Sequence, residues 1–182
     1  MSVSTLVTAD EFAQMSFDGP VELVRGEIVE MTRPGGVHGF ACVRSTVVLD
    51  GWASRTPNYV VLANDTGVIT NRDPDTVRGP DVFVVRRARL PEGRIPQGNF
   101  PIAPEVCIEV RSPHDRWSEI IQKVSEYLVI GVQEVWVIDP ERRRVHVYFA
   151  DTEPDVLEVG STLRSRTLPE FECSVDEFFR GL

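Results

Sequence analysis

A strand–helix–strand pattern in the second half of the chain constrains its fold more than any other feature. Segments Glu105–Arg111 and Val135–Asp139 are largely apolar runs of strand length. From about Asp115 to Ile130, apolar residues recur at helical spacing, and Gly131 then provides a typical helix end. Because such a helix must bury its apolar face, the pattern predicts a sheet with helices packed on it. The apolar positions of this helix are Trp117, Ile120, Ile121, Val124, Tyr127 and Leu128.

The rest of the chain repeats this mixture of helices and paired strands. Thr8 and Glu11 form a capping-box pattern, which predicts a short helix through about Met15. A second helix is predicted from about His38 to Arg55, and a proline- and glycine-rich loop from Arg87 to Pro104. We therefore predict the α/β (α+β) class. The other predicted elements are strands Val21–Arg25, Glu27–Met31, Tyr59–Leu62, Thr66–Thr70, Asp81–Val85 and Val145–Phe149, and a terminal helix Val175–Phe179.

Length and composition predict one domain, residues 1–182, in a cytoplasmic protein. The chain has 182 residues, 42% of them hydrophobic, and no apolar run reaches the roughly 18 residues of a membrane span. The first five residues lack the pattern of a signal peptide. Three widely spaced cysteines fit neither a disulfide framework nor a zinc motif, so reduced, mostly buried thiols are expected. The net charge of −9 argues against broad nonspecific affinity for nucleic acid, although local arginine clusters remain.

The basic residues of the chain are almost all arginine. Of its 19 basic residues, 18 are arginine, and Lys123 is the single lysine. An ammonium group can be tuned by burial and can exchange a proton, whereas a guanidinium stays protonated. Lys123 lies at the border of the apolar stripe of its helix, where it could simply extend to solvent or reach back toward Glu109.

Two acidic residues occupy the ends of predicted strands. Strand alternation places Asp81 on one face with Phe83, and Glu109 on one face with Cys107. If these strands are neighbours, the two carboxylates form a hard-oxygen site for Mg²⁺ or Mn²⁺, to which the carbonyl of Val110 could contribute. Such an ion would polarise a phosphoryl oxygen and lower the pKa of a bound water. The alternative is that Glu109 lies on an exposed strand face.

The order and spacing of these residues resemble the PD-(D/E)XK nucleases, with the lysine moved to the following helix. The motifs also resemble the Uma-two (Uma2) family of bacterial restriction-endonuclease-like proteins from about Glu22 to Phe179. The motifs are Gly26-Glu27-Ile28-Val29, Arg33-Pro34, His38, Pro80-Asp81, Glu109-Val110-Arg111-Ser112-Pro113, Lys123 with Tyr127, Gly131-Val132 and Val135-Trp136-Val137-Ile138-Asp139-Pro140.

The resemblance implies a restriction-endonuclease-like core, with a central mixed β-sheet flanked by helices and a divalent metal. Asp81 and Glu109 correspond to the metal-binding acids and Lys123 to the lysine, while Glu27 and His38 match further polar positions that would support catalysis. The chain departs from the usual motif because Arg111 occupies the third slot of ExK. Arg111 could contact a substrate phosphate, but its high pKa makes it a poor proton acceptor.

These residues predict a metal-dependent endonuclease that hydrolyses DNA and could act as a homodimer, since cutting a duplex often uses two sites. Two other functions remain open. The first is a catalytically inactive nuclease fold that binds nucleic acid or protein. The acidic net charge and the replacement of the ExK lysine by Arg111 both favour this alternative. The second is a phosphodiesterase for small nucleotides, which needs no long basic groove.

Overall fold

The computed structural model of the protein describes residues 6–182, so the first five residues, on which the signal-peptide expectation rests, lie outside the described residues. The Thr8–Glu11 capping box is confirmed, although the helix it opens is shorter than predicted. The segment predicted as the loop from Arg87 to Pro104 holds two 3₁₀ turns. The helices and strands are α1 (Ala9–Phe12), β1 (Val21–Val24), β2 (Glu27–Glu30), α2 (Gly36–Ala53), β3 (Tyr59–Ala63), β4 (Val68–Asn71), β5 (Thr76–Arg78), β6 (Val82–Arg86), β7 (Val106–Val110), α3 (Trp117–Val129), β8 (Glu134–Asp139), β9 (Arg144–Tyr148), β10 (Asp155–Glu158), β11 (Thr162–Arg164), β12 (Glu172–Ser174) and α4 (Asp176–Phe179).

A six-stranded mixed sheet forms the centre of the fold. Its strand order is β10-β9-β8-β7-β6-β3. Strands β7 and β8 are parallel, as a connection through the helix α3 allows, and the other neighbours in this sheet are antiparallel. The predicted α/β class with a central mixed sheet is therefore confirmed. Among residues 6–182, no helix is both long enough and apolar enough to cross a membrane.

Helices cover both faces of the central sheet. On one face, α2 and α4 pack against the β7 residues Val106, Ile108 and Val110. On the other face, α3 packs through Ile120, Val124 and Tyr127 into the apolar cluster that contains Cys107. The two-residue alternation of β7 thus assigns its side chains to opposite layers, as the sequence predicted. Glu109, two residues after Cys107, points toward the α3 layer.

Helix α2 buries a different face from its most apolar one. Phe40, Val43 and Val47 recur at helical spacing along it, but they are 39%, 60% and 52% exposed. The buried positions are Ala41, Ser45, Leu49, Trp52 and Ala53. Small side chains at three of these positions let the helix approach the sheet closely, so packing distance rather than hydrophobicity selects the face.

A second, four-stranded sheet of order β2-β1-β5-β4 lies beside the cleft described below. Strands β1 and β2 form the predicted hairpin, turning at Arg25 and Gly26 with φ of 53° and 79°. Positive φ at both turn residues is the type I′ pattern that matches strand twist. Strand β5 was not predicted. It pairs with β1 through Leu23 and Val77, and continuing that antiparallel register places Glu22 opposite Arg78.

Candidate active site

A cleft opens where the start of β6 and the end of β7 meet α2, α3 and β1. Its lining is rich in ionisable groups, six of which are carboxylates. They come from several elements and from the loops between them, so only the tertiary fold brings them together. The ionisable groups at the centre of the cleft are Glu22, His38, Asp65, Asp81, Glu109 and Lys123.

Asp81 and Glu109 are neighbours across the junction of β6 and β7. The register that pairs Val82 with Ile108 places Asp81 opposite Glu109 when continued by one residue. Directly opposed residues of an antiparallel pair have Cβ atoms about 4.5–5.5 Å apart. The backbone N–H of Val110 donates to Oδ2 of Asp81 at 2.6 Å, which fixes the carboxylate at the strand end. Both residues are only 8% exposed, so the alternative of an exposed Glu109 does not hold.

Lys123 reaches from α3 to the same carboxylates. Its Nζ lies 2.8 Å from Oε1 of Glu22 and 3.3 Å from Oε2 of Glu109. Burial alone would disfavour the ammonium, but the charges of Glu109 and Glu22 outweigh it and raise the pKa of Lys123. Lys123 therefore carries its proton throughout the physiological pH range.

An ion-pair chain holds Glu22 in place behind the lysine. The Arg78 guanidinium donates to Oε2 of Glu22 at 2.8 Å and makes two hydrogen bonds to Glu126 of α3. Burial acts to raise the pKa of Glu22, but Lys123 and Arg78 overcome it and lower that pKa. This series of ion pairs runs from α3 through β5 to β1 and thus fixes the position of the lysine.

Glu109 is buried, and its charge is only partly compensated. Tyr127, itself fully buried, donates its hydroxyl to Oε1 at 2.7 Å. Burial raises the pKa of Glu109 to about 7; Lys123 opposes this shift, whereas the negative charges of Asp81 and Glu22 add to it. Burial and the charge of Asp81 also raise the pKa of Asp65. The site accordingly holds more negative charge than its lysine neutralises.

His38 and Cys42 approach Asp81 from the first turns of α2. Nε2 of His38 lies 3.3 Å from Oδ1 of Asp81, and the Cys42 thiol donates to the same oxygen at 3.4 Å. Burial opposes the imidazolium, yet the hydrogen bond and charge of Asp81 raise the pKa of His38. Burial, with the nearby charge of Asp81, also raises the pKa of the Cys42 thiol, which therefore stays protonated.

Two predicted site residues lie elsewhere. Glu27 is exposed at the start of β2, in the tight β1–β2 turn, and does not line the cleft. Arg111 directs one guanidinium nitrogen to Asp139 and Glu141, at 3.3 and 3.0 Å, and lies over the ring of Trp117. Its guanidinium is thus committed to ion pairs within the protein, and we assign it no substrate contact.

Three residues of the cleft region were missed by the sequence reasoning: Glu22, Asp65 and Cys42. Glu22 lies in a recognised strand, but its role depends on β5, which gave no signal. Asp65 follows Asn64 in a turn where both residues have positive φ, and an Asn-Asp pair could have marked that turn. For Cys42 the sequence did contain a signal: it lies four residues after His38 on a predicted helix, a spacing that places both side chains on one face.

The fold and the site together define a class of protein. A mixed sheet carries two adjacent carboxylates at a strand junction, and a helix packed on that sheet adds a lysine, which is the restriction-endonuclease-like arrangement that the sequence resembles. The chain belongs to the Uma2 family, whose family model, described as "Putative restriction endonuclease", matches residues 9–176. The predicted family is confirmed, and it places the chain among nuclease-type hydrolases that act on nucleic acid.

A solved structure has the same fold. The crystal structure of a putative nuclease belonging to DUF820 from Anabaena variabilis ATCC 29413, at 1.96 Å resolution, aligns with a TM-score of 0.81 and 23% sequence identity. The alignment covers 95% of this chain and 97% of that one. No curated protein matches the chain.

Proposed function

We propose that this protein is a metal-dependent endonuclease that hydrolyses phosphodiester bonds in DNA, and that residues 1–182 form one nuclease domain. The observation that carries the proposal is the meeting of Asp81, Glu109 and Lys123 in one cleft, with the lysine ammonium 3.3 Å from Glu109. Membership of the Uma2 family supports it independently of this geometry.

Asp81 and Glu109 would hold Mg²⁺, or Mn²⁺ in its place. Their oxygens are the hard ligands that these ions prefer, and the Val110 backbone lines the same cleft and could offer its carbonyl. Burial, with a contribution from the charge of Asp81, raises the pKa of Glu109 despite the nearby Lys123, so a further cation beside the two carboxylates would be stabilised. When bound, the ion would polarise a phosphoryl oxygen and make its bound water more acidic.

We assign Lys123 an electrostatic role rather than that of a general base. Its pKa is raised by Glu109 and Glu22 against the effect of burial, so it stays protonated and has no free lone pair with which to accept a proton. The ammonium can donate hydrogen bonds to a water or to a phosphoryl oxygen beside Glu109, which would stabilise the negative charge that develops at phosphorus. Glu22 acts as its positioning residue through the 2.8 Å contact.

Plasmid cleavage tests the proposal directly. The full chain is incubated with supercoiled, linear and single-stranded DNA in Mg²⁺ or Mn²⁺. We expect metal-dependent cleavage, a loss of about 10²–10³-fold in Lys123→Ala by analogy with the removal of one transition-state donor, and strong loss in Asp81→Ala. Glu172→Gln, which changes an exposed carboxylate far from the cleft, is the control. Absence of cleavage by the unaltered chain with every metal and DNA form would refute the proposal.

A nucleic-acid-binding module without catalysis is the second candidate. The observation that favours it is that Arg111, in place of the lysine of the ExK motif, is bound in ion pairs with Asp139 and Glu141. DNA binding that persists in Asp81→Ala, together with Mg²⁺ binding and no cleavage, would select this function.

Two finer predictions belong to the same proposal. A homodimer would supply two sites for the two strands of a duplex, and light scattering of the purified chain measures that state. A cytoplasmic location is expected from the sequence, and fractionation of cells that express the chain tests it.

A further inference from the structure

A second kind of ligand set lies at the α2 side of the cleft. His38, Cys42 and Asp81 offer an imidazole nitrogen, a thiol sulfur and a carboxylate oxygen, all within 4.8 Å of one another. We propose that these three residues bind a divalent transition-metal ion of the Zn²⁺ or Co²⁺ type, at a position distinct from the hard-oxygen site of Asp81 and Glu109.

The distances between the ligand atoms suit a tetrahedral ion. Oδ1 of Asp81 lies 3.3 Å from His38 Nε2 and 3.4 Å from Cys42 Sγ. Zinc binds nitrogen and oxygen at about 2.0–2.2 Å and sulfur at about 2.3 Å, so neighbouring ligands of a tetrahedron lie roughly 3.3–3.8 Å apart. The two separations from Oδ1 fall within that range. Sγ of Cys42 also lies 3.4 Å from Nδ1 of His38, so the imidazole would turn to present a single nitrogen to the ion.

The three side chains are already held in position. His38 and Cys42 are one turn apart on α2, an 18-residue helix anchored by buried residues, so they project from the same face. Asp81 is fixed by the N–H of Val110 at its Oδ2, which leaves Oδ1 directed toward the histidine and the cysteine. The side chains of His38 and Asp81 are 12% and 10% exposed, so the set is sheltered yet borders the cleft.

The chemistry of the set differs from that of the Mg²⁺ site. A thiolate and an imidazole select borderline and soft ions, whereas Mg²⁺ requires oxygen ligands. Burial keeps Cys42 protonated in the metal-free protein, so a bound ion would displace the thiol proton to solvent. The resulting thiolate and the Asp81 carboxylate together would balance the charge of a divalent ion. Three protein ligands leave a fourth position, which is the pattern of zinc sites that bind water or substrate.

Cobalt spectroscopy tests this assignment without any measurement of hydrolysis. The full chain is stripped with EDTA, kept reduced and anaerobic, and titrated with Co²⁺ alone. We expect one equivalent to produce a thiolate-to-cobalt charge-transfer band in the near ultraviolet and the intense visible bands of tetrahedral Co²⁺, and Zn²⁺ to displace it. A hydrogen-bonded cluster without metal affinity would show neither set of bands, and that result would overturn the proposal.

Four variants separate this position from others. Cys42→Ser, nearly isosteric, should abolish the charge-transfer band, and His38→Ala should weaken cobalt binding by more than about tenfold. Cys173→Ser, which alters a free cysteine outside the cleft, should keep both band and affinity. Glu109→Gln should also keep the band.

The remaining outcomes all count against the proposal. A band that survives Cys42→Ser, or that is lost in Glu109→Gln, would show that cobalt binds elsewhere or only at the hard-oxygen site. Circular dichroism of each variant excludes loss of fold as the cause. Since the titration contains no nucleic acid, its result and that of the plasmid assay stand independently.

Discussion

Replacing Lys123 by methionine should destabilise the protein in a way that depends on pH. The substitution keeps much of the aliphatic length of the side chain and removes the ammonium that lies 2.8 Å from Glu22 and 3.3 Å from Glu109. At an effective dielectric constant of about 20, these distances correspond to gross attractions of about 6 and about 5 kcal/mol. Desolvation of the buried charges offsets much of that, and breaking a buried pair costs about 3–5 kcal/mol net.

The pH dependence follows from Glu109. Burial raises its pKa in the folded protein to about 7, although Lys123 acts to lower it, and removing Lys123 must raise it further. Above about pH 7, Glu109 would be ionised in the folded wild type but protonated in the folded variant, and it is ionised in both unfolded chains. The folded variant then binds one proton more than its unfolded state, so its stability falls by about 1.4 kcal/mol per pH unit relative to wild type. Below about pH 7, both folded proteins hold this proton, and the difference in stability levels off.

Urea unfolding followed by tryptophan fluorescence, in EDTA and from about pH 6 to about pH 9, measures this difference. The double variant Lys123→Met/Glu109→Gln should lose the pH slope and recover part of the stability, because it no longer buries the unpaired carboxylate. Arg164→Met, which breaks an exposed pair with Glu172, is the matched control and should cost less than about 1 kcal/mol. A penalty for Lys123→Met that is the same from the lowest to the highest pH would refute the reasoning.

Three further predictions concern stability away from the cleft. The Asp75 carboxylate accepts a hydrogen bond from the N–H of Ala9 at 2.7 Å, which is the largest cause of its lowered pKa. Asp75→Asn should therefore reduce the free energy of unfolding by about 1 kcal/mol at neutral pH. In acid unfolding curves, this difference should vanish below about pH 4, where the carboxylate becomes protonated. Ala41→Leu should overpack the contact of α2 with the sheet by about 1–3 kcal/mol in thermal unfolding, whereas Val43→Leu, on the exposed face, should be nearly neutral. Glu134 is fully buried and accepts hydrogen bonds from an indole N–H, a hydroxyl and a backbone N–H. Glu134→Gln should therefore lower the free energy of unfolding in urea by about 1–3 kcal/mol, and an unchanged midpoint would contradict this expectation.

Local patterns predicted the parts of the fold that depend on neighbours in sequence. The two-residue alternation around Glu109 gave its face correctly, because the period of a strand is a local property. The apolar stripe of α3 likewise identified the surface that packs on the sheet, with Ile120 and Val124 buried and only Ile121 of that stripe largely exposed.

The remaining parts required pairings between distant segments. Glu22 rather than Glu27 enters the cleft because β1 pairs with β5, and three residues of β5 are too few to give a periodic signal. The sequence did not identify the buried face of α2, because the exposed face is also apolar. Ala41 is buried and Val43 exposed because the helix lies close to the sheet, and that distance cannot be read from the sequence. The contact of Asp81 with His38 and Cys42 was also not predictable, because it depends on where β6 begins relative to α2.

The position of the only lysine also determines which side chain amine-directed reagents can modify. No other side chain in the sequence carries a primary amine, and this one is paired with two carboxylates at 16% exposure. An activated ester or an aldehyde with reductant would therefore react slowly with it while both carboxylates hold it. A ligand that displaces both carboxylates from the ammonium would release the amine. The extent of acylation at this one residue, read by mass spectrometry, would then report how the cleft is occupied.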